Sequence, residues 1–303
     1  MYPMWKTFDP AASKSSIVFR SVFHSISAFC NAGFSLQRDS MESLRGNWQV
    51  IGVMAPLIVI GGLGFPVLYD LVRAVWRGLS RRIIPTRPTA RQTLSLHSKM
   101  VLTTSIVLLI LGAIMLLTIE TASNYGKRYG APLKMSDNPR QAGETNSLAE
   151  LNWPDRIGQA FFQSVTARTA GFNTVDMKQL SVGAKLWLCL MMIIGGSPAS
   201  TAGGMKTATL AVLMLTIWSM LRRREKVEGF KRTITEPFIY KAVTLAGLYV
   251  TLVVVVTLLL SVSLNDKGHP FIDIFFEACS ACGTVGLTCG VTKSLTIASK
   301  YVI

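Results

Sequence analysis

FFQSVTARTAGFNT, Phe161–Thr174, can be written beneath FHSISAFCNAGFSL, Phe23–Leu36, and above FEACSACGTVGLTC, Phe276–Cys289. In that alignment Gly33, Gly171 and Gly286 fall in one column. Each copy opens with an apolar or amphipathic stretch of about ten residues, half of the roughly 20 that a bilayer-spanning helix needs. Each then ends in small residues around its glycine. A segment of this kind enters a membrane and turns back, and three of them in one register make an internal repeat.

The rest of the chain agrees with a bilayer. Hydrophobic residues make up 50% of the 303, charged residues 16%, and mean hydropathy is +0.41, above what a soluble domain needs. Apolar runs at Val50–Val72, Met100–Ile119, Leu186–Trp218 (with a polar interruption) and Val243–Leu264 are four candidate spans. The first 20 residues carry Lys6, Asp9 and Lys14 and do not read as a signal peptide. The net charge of +15 is concentrated rather than spread. Arg73, Arg77, Arg81, Arg82, Arg87, Arg91 and Lys99 form one basic segment, and Arg222, Arg223, Arg224, Lys226, Lys231, Arg232 and Lys241 a second. Basic connectors beside apolar spans mark the cytoplasmic side, so topology accounts for the charge and nucleic-acid binding is not expected. The segment from Ser123 to Arg156 mixes Lys127, Arg128, Lys134, Arg140 and Arg156 with Asp137, Glu144, Glu150 and Asp155, and is expected to face outward.

After the first two glycine tracts comes an apolar run with a glycine pair in its middle, Gly61-Gly62 in VIGGLGFPV and Gly195-Gly196 in IIGGSPASTAGGMKT. The repeating unit is therefore helix, pore loop, helix. On this grammar the chain starts just before a pore loop and stops at Ile303 where a further helix should begin, so a first repeat and a last helix are expected to be missing. The expected fold class is an all-α polytopic membrane protein, with helix–pore-loop–helix units around a central cation pore, as in potassium channels. The expected divisions are 17–78, 98–222 and 237–303. Irregular backbone at membrane depth is tolerated only when buried in protein or lining a water-filled cavity. In Asn31-Ala32-Gly33, Thr169-Ala170-Gly171 and Thr284-Val285-Gly286, small side chains and a glycine free to take positive φ let successive carbonyls point one way and replace an alkali cation's hydration shell. Thr284-Val285-Gly286 is nearest to the potassium-channel sequence TVGYG. One such tract alone would read as a glycine turn between packed helices.

These residues resemble the Trk/Ktr/HKT superfamily of potassium and sodium transporters over nearly the whole chain. SAFCNAGFSL is similar to that family's second-repeat pore loop, SVTARTAGFNT to the third and SACGTVGLTCGVT to the fourth, while IIGGSPASTAGGMKTAT is similar to the broken middle of the third repeat's second helix. The resemblance implies filter roles for Asn31, Ala32, Gly33, Thr169, Ala170, Gly171, Thr284, Val285 and Gly286, with potassium as substrate at these residues and no covalently bound cofactor. It implies an intramembrane gating loop containing Gly195, Gly196, Ser197, Gly203 and Gly204, with Lys206 close by. It also implies four repeats around one pore, a homodimer in lipid in the bacterial inner membrane, and a cytosolic nucleotide-binding regulatory subunit of the TrkA/KtrA kind. The first-repeat filter residue associated with potassium over sodium would lie outside this chain.

Arg168 and Glu277 are charges in apolar surroundings and are expected to support the filter, most simply as structural ion pairs. His24 reads as a pore-helix residue facing a neighbour. Cys30, Cys189, Cys279, Cys282 and Cys289 read as packing thiols, since the Cys279/Cys282 spacing lacks a second ligand pair. GGSPASTAGGMKT departs from a phosphate-binding loop because Met205 separates Gly204 from Lys206. Transport without covalent chemistry is thus the main expectation. The alternatives are a sodium-selective or sodium-coupled relative and a non-conducting membrane scaffold.

Overall fold

The computed structural model describes residues 1–83, 94–130, 148, 151–224, 226–230, 232–264, 268–295 and 297–300. Arg87 and Arg91 of the first basic segment, Lys231 of the second, and Lys134, Asp137, Arg140, Glu144 and Glu150 of the expected outer connector lie outside the described residues.

The described chain is helical apart from one small hairpin. Helices α1 (Tyr2–Phe8) and α2 (Lys14–Phe29) come first, and the Ser13 hydroxyl caps α2 by accepting from the Ser16 amide at 3.3 Å. A 3-10 turn at Glu42–Leu44 and a π-helical turn at Val50–Met54 lead into α3 (Ala55–Leu63) and α4 (Phe65–Ile83). Then follow α5 (Leu96–Gly130), α6 (Trp153–Thr166), α7 (Val182–Ile193) and α8 (Thr207–Leu221). A hairpin of β1 (Glu228–Gly229) and β2 (Arg232–Thr233), with Glu228 opposite Thr233, returns the chain to α9 (Glu236–Leu264), α10 (Phe271–Cys282) and a last turn, α11 (Ile297–Lys300).

The short helices α2, α6 and α10 have 16, 14 and 12 residues. At about 1.5 Å per residue none crosses a hydrocarbon core about 30 Å thick. Proline near the start of α6 and at the N-cap of α10, each with an aspartate in the first turn, sets where those helices begin.

The four apolar runs do not become four continuous helices. Two helical segments, Leu96–Ser123 and Glu236–Leu264, are long and apolar enough to cross a membrane alone. The run from Val50 is bent by 107° between Val50–Leu63 and Phe65–Trp76. The bend falls at Gly64 (φ +79°), two residues beyond the glycine pair, and Pro66 follows it. The third run is broken into α7 and α8 by an extended loop, Ile194–Lys206. In both places the interruption is a glycine-rich tract whose freed backbone groups find partners in another repeat, as described below.

Packing joins the repeats in sequence order. Helix α5 lies against α6, α7 and α8, and α10 lies against α7 and α9. One core gathers Leu108, Leu116, Leu188, Met192, Phe276 and Cys279, and a second gathers Trp5, Ala28, Met54, Phe162 and Phe172. Buried polar links fix the helices lengthwise. Lys185 and Asp273 pair at 2.7 Å between α7 and α10, Ser181 donates to Glu120 at 2.8 Å between α7 and α5, and Ser98 donates to Asp70 at 2.6 Å between α5 and α4. Val243, Leu248, Val255, Leu258 and Val262 stand exposed along α9, a face suited to lipid or protein rather than to water.

Helix α5 meets α6 at Gly112, where an added Cβ would fall on the Ser164 hydroxyl, whereas Gly247 in α9 has nothing within 4 Å. Gly112→Val should therefore cost about 1–3 kcal/mol and visibly lower the melting temperature of the detergent-solubilised protein. Gly247→Ala should leave that temperature unchanged or raise it slightly.

Candidate functional site

The three glycine tracts converge. A Cβ built on Gly33 would lie 2.8 Å from the Ala170 carbonyl oxygen, and one built on Gly171 would fall on the Val285 carbonyl oxygen and lie 3.3 Å from the Gly33 Cα. Gly286 closes the set, its added Cβ lying 3.8 Å from the Gly171 Cα. The backbone conformation repeats as well. Asn31, Thr169 and Thr284 have φ of 50°, 72° and 54°, and two residues on, Gly33, Gly171 and Gly286 have 70°, 77° and 90°, while the residue between stays out of the positive-φ region. Backbone that alternates in handedness is able to present successive carbonyls on one side and amides on the other.

The amides are spent on the short helices. The Ala32 amide donates to Ser27 O at 2.9 Å and the Val285 amide to Ser280 O at 2.8 Å, equivalent bonds in two copies. In the middle copy the Ala170 and Gly171 amides share Thr166 O at 3.0 and 3.4 Å. Helices α2, α6 and α10 thus end at the tracts and turn the negative ends of their dipoles toward them. The Thr169 hydroxyl is buried there without a hydrogen-bond partner among the described residues.

A bracket behind each tract was not foreseen. Thr288 donates to both Glu277 oxygens at 2.9 and 3.0 Å, His24 Nε2 lies 3.4 Å from the Ser35 hydroxyl and accepts from the Leu36 amide at 3.3 Å, and Gln163 donates to Thr174 at 3.1 Å. Every bracket spans eleven residues and ties a short helix to the chain leaving its tract. His24 and Glu277 occupy the same column of the alignment, so the signal was present as polar residues eleven apart in each copy. Glu277 is therefore held by hydroxyls, Thr292 included, and not by an ion pair. Arg168 likewise has no carboxylate partner among the described residues: its Nη2 donates to Ser105 at 3.2 Å and to Gly195 O at 3.4 Å, joining the end of the second short helix, α6, to α5 and to the loop between α7 and α8. Among the described residues the ion pairs are Arg20–Asp9 and Lys185–Asp273. The three hydroxyls, together with the neck carbonyl of Gly195, do the holding that ion pairs were expected to do.

That loop lies directly against the tracts. Its neck is closed by bonds from Gly195 N to Met205 O at 2.9 Å and from Met205 N to Ile193 O at 3.1 Å. A Cβ on Gly203 would fall on the Thr284 hydroxyl, and the Thr201 hydroxyl lies 3.1 Å from the Asn31 side-chain amide. Ser197 N donates to Gly62 O at 2.9 Å, and the Ser197 hydroxyl to Leu63 O, which satisfies the carbonyls freed at the bend between α3 and α4. Lys206 donates to Ala202 O at 2.7 Å, its ammonium tying the far side of the loop. Gly195, Gly196, Ser197, Gly203, Gly204 and Lys206 thus belong to one body in contact with the first and third tracts.

The exits of the first and second tracts are also bonded to each other. Met41 N donates to Asn173 O at 3.0 Å, and Asn173 Nδ2 to Glu42 Oε1 at 2.6 Å. Glu42 lies in a turn outside the spanning helices. Partial burial, then Asp176 and Asp39, push its carboxyl up to about 7, against the Asn173 hydrogen bond and Arg45. A raised carboxyl binds a proton more tightly in the folded state, so its stabilising contribution is fully present below pH 4.5 and is lost as pH rises through about 7. Glu42→Gln should flatten the dependence of melting temperature on pH across that window, in thermal scans of the full-length protein.

Comparisons with known proteins place the chain in a family. The family model described as TrkH, cation transport protein, matches residues 6–303. The chain is 36% identical over 294 residues to Ktr system potassium uptake protein B of Bacillus subtilis, covering 97% of this chain and 58% of that protein. It is 35% identical over 297 residues to the potassium/sodium uptake protein NtpJ of Enterococcus hirae, covering 98% of this chain and 58% of that protein. In fold it is similar to the crystal structure of the potassium transporter TrkH from Vibrio parahaemolyticus, with a TM-score of 0.57 and 18% identity over 94% of this chain and 54% of that one. The chain thus spans just over half the length of these relatives. Matched by the family model over nearly its whole length, it belongs to the TrkH family of cation transport proteins.

Proposed function

We propose that this chain supplies three walls of a pore for potassium uptake, with Asn31-Ala32-Gly33, Thr169-Ala170-Gly171 and Thr284-Val285-Gly286 as a carbonyl-lined selectivity filter. The observation that carries this reading is the convergence of Gly33, Gly171 and Gly286, each with its φ in the left-handed region and with the amide of the residue before it bonded back to a short helix. Carbonyl oxygens held this way replace hydration water without moving, and the helix ends behind them favour cations over anions. The Thr169 hydroxyl is a further oxygen available to the ion.

The loop from Gly195 to Gly204 is read as the gate. It packs on Asn31 through Thr201 and on Thr284 through Gly203, so displacement of the loop and conduction through the tracts are coupled. Arg168 and Glu277 act as positioning groups, one tying the second short helix to the loop's neck and the other bracing the exit of the last tract. Residues 17–78, 98–222 and 237–303 are read as successive portions of the repeats. The chain is further read as part of a multi-pass protein of the bacterial inner membrane that works as a homodimer with a cytosolic nucleotide-binding subunit, as the resemblance of its motifs to the family implies. Sodium as transported or coupling ion is the second reading, favoured by the resemblance to a potassium/sodium uptake protein.

Rescue of a potassium-uptake-deficient bacterium by the full-length protein, with potassium and sodium fluxes followed separately, tests both readings. Gly171→Ala places a Cβ on the Val285 oxygen at a φ of +77°. It should reduce potassium uptake at least about tenfold at unchanged membrane abundance, since left-handed backbone alone costs a residue with a Cβ about 1–2 kcal/mol. Sodium uptake with no potassium uptake would favour the second reading. Flux of neither ion by an abundant wild-type protein would leave a non-conducting scaffold.

A further inference from the structure

A cavity of about 660 Å³ opens beside the loop between α7 and α8, walled by the first turns of α5, α8 and α9. Both α5 and α9 follow directly on the basic connecting segments, so this is the end of the bundle where positive charge collects. The wall is amphipathic. On α9, Phe238, Lys241 and Leu245 share one face at helical spacing, and Met100 of α5 and Val212 of α8 extend its apolar side. Phe238 and Leu245 are 66% and 47% exposed, so the apolar side is open rather than filled by this chain.

The polar part of the lining combines two lysines with His97 and the hydroxyls of Thr209, Thr233 and Thr235. Lys206 and Lys241 line the cavity and no carboxylate does, and among the described residues neither lysine has an acidic partner within salt-bridge distance. Lys206 gives one of its three hydrogens to Ala202 O and keeps two for another acceptor. An open apolar wall, two lysines lining one cavity without a carboxylate, and a position at the start of two apolar helices fit one occupant chemically. The geometry points to a binding site for an anionic phospholipid, its phosphate between Lys241 and Lys206 and an acyl chain along Phe238 and Leu245. Because Lys206 belongs to the same loop that touches the glycine tracts, a lipid bound here bears on that loop from the side away from the tracts. Binding at this site does not depend on which ion the pore conducts.

Native mass spectrometry of the full-length protein, released from nanodiscs of matched-chain phosphatidylglycerol and phosphatidylcholine, tests the site. The wild type should retain phosphatidylglycerol in preference to phosphatidylcholine. Lys241→Gln should weaken that retention about fivefold, one lysine's worth of attraction to an anionic lipid. Lys241→Arg should restore it, and Lys293→Gln, on the exposed turn after the last glycine tract, should leave it unchanged. An unchanged melting temperature for Lys241→Gln keeps the comparison interpretable, and Lys241→Met, which also removes the charge, serves in its place if that variant unfolds. Three results would overturn the site: equal retention of the two lipids, which is expected if another protein segment fills the cavity; retention indifferent to Lys241→Gln; or displacement of phosphatidylglycerol by millimolar inorganic phosphate, which would mark a soluble anion instead.

Discussion

The constraint on which this structure depends is the absence of a side chain at Gly171. The Val285 carbonyl oxygen occupies the place a Cβ would take, and Gly33 lies against the other side. The first two tracts approach their neighbours this closely only because Gly33 and Gly171 carry no side chain, and all three glycines take a left-handed conformation that costs glycine nothing. Everything nearby serves to keep those backbones in place without using their carbonyls. The amides are bonded into the ends of α2, α6 and α10, and the exits are held by His24, Gln163 and Glu277.

The broken segment between α7 and α8 solves the same problem from the other side. A helix kept continuous through Gly195–Gly204 would have its carbonyls satisfied internally and nothing to offer its neighbours. As a loop it takes up the carbonyls of Gly62 and Leu63, approaches Asn31 and Thr284, and hands Gly195 O to Arg168. The bend at Gly64 and the break at Gly195 are therefore one feature, since the bonds lost from each helix are made between them. This is how irregular backbone survives at membrane depth.

Much of the architecture was legible because repetition carries more information than any single motif. The column of Gly33, Gly171 and Gly286 located the tracts, and the apolar run lengths located α5 and α9. The bend after Leu63 was less legible. VIGGLGFPV is apolar throughout, and only packing against Ser197 and Pro198 selects Gly64 over Gly61 or Gly62 as the turning point. Ion pairs were expected at Arg168 and Glu277 because an isolated charge in an apolar setting ordinarily needs a counter-charge. The structure instead satisfies both with neutral oxygens, contributed by residues such as Ser105 and Thr288 whose role depends on tertiary placement. His24 looked incidental as one of three scattered histidines, and its role shows only beside Glu277 in the aligned copy.

The central claim is that the three tracts form one ion-binding wall. Anomalous diffraction from crystals of the full-length protein grown in rubidium or thallium reads this directly. The account predicts a peak on the axis between the carbonyls of Asn31-Ala32-Gly33, Thr169-Ala170-Gly171 and Thr284-Val285-Gly286. Ordered tracts in this conformation with no peak between them, at ion concentrations that saturate uptake, would contradict it.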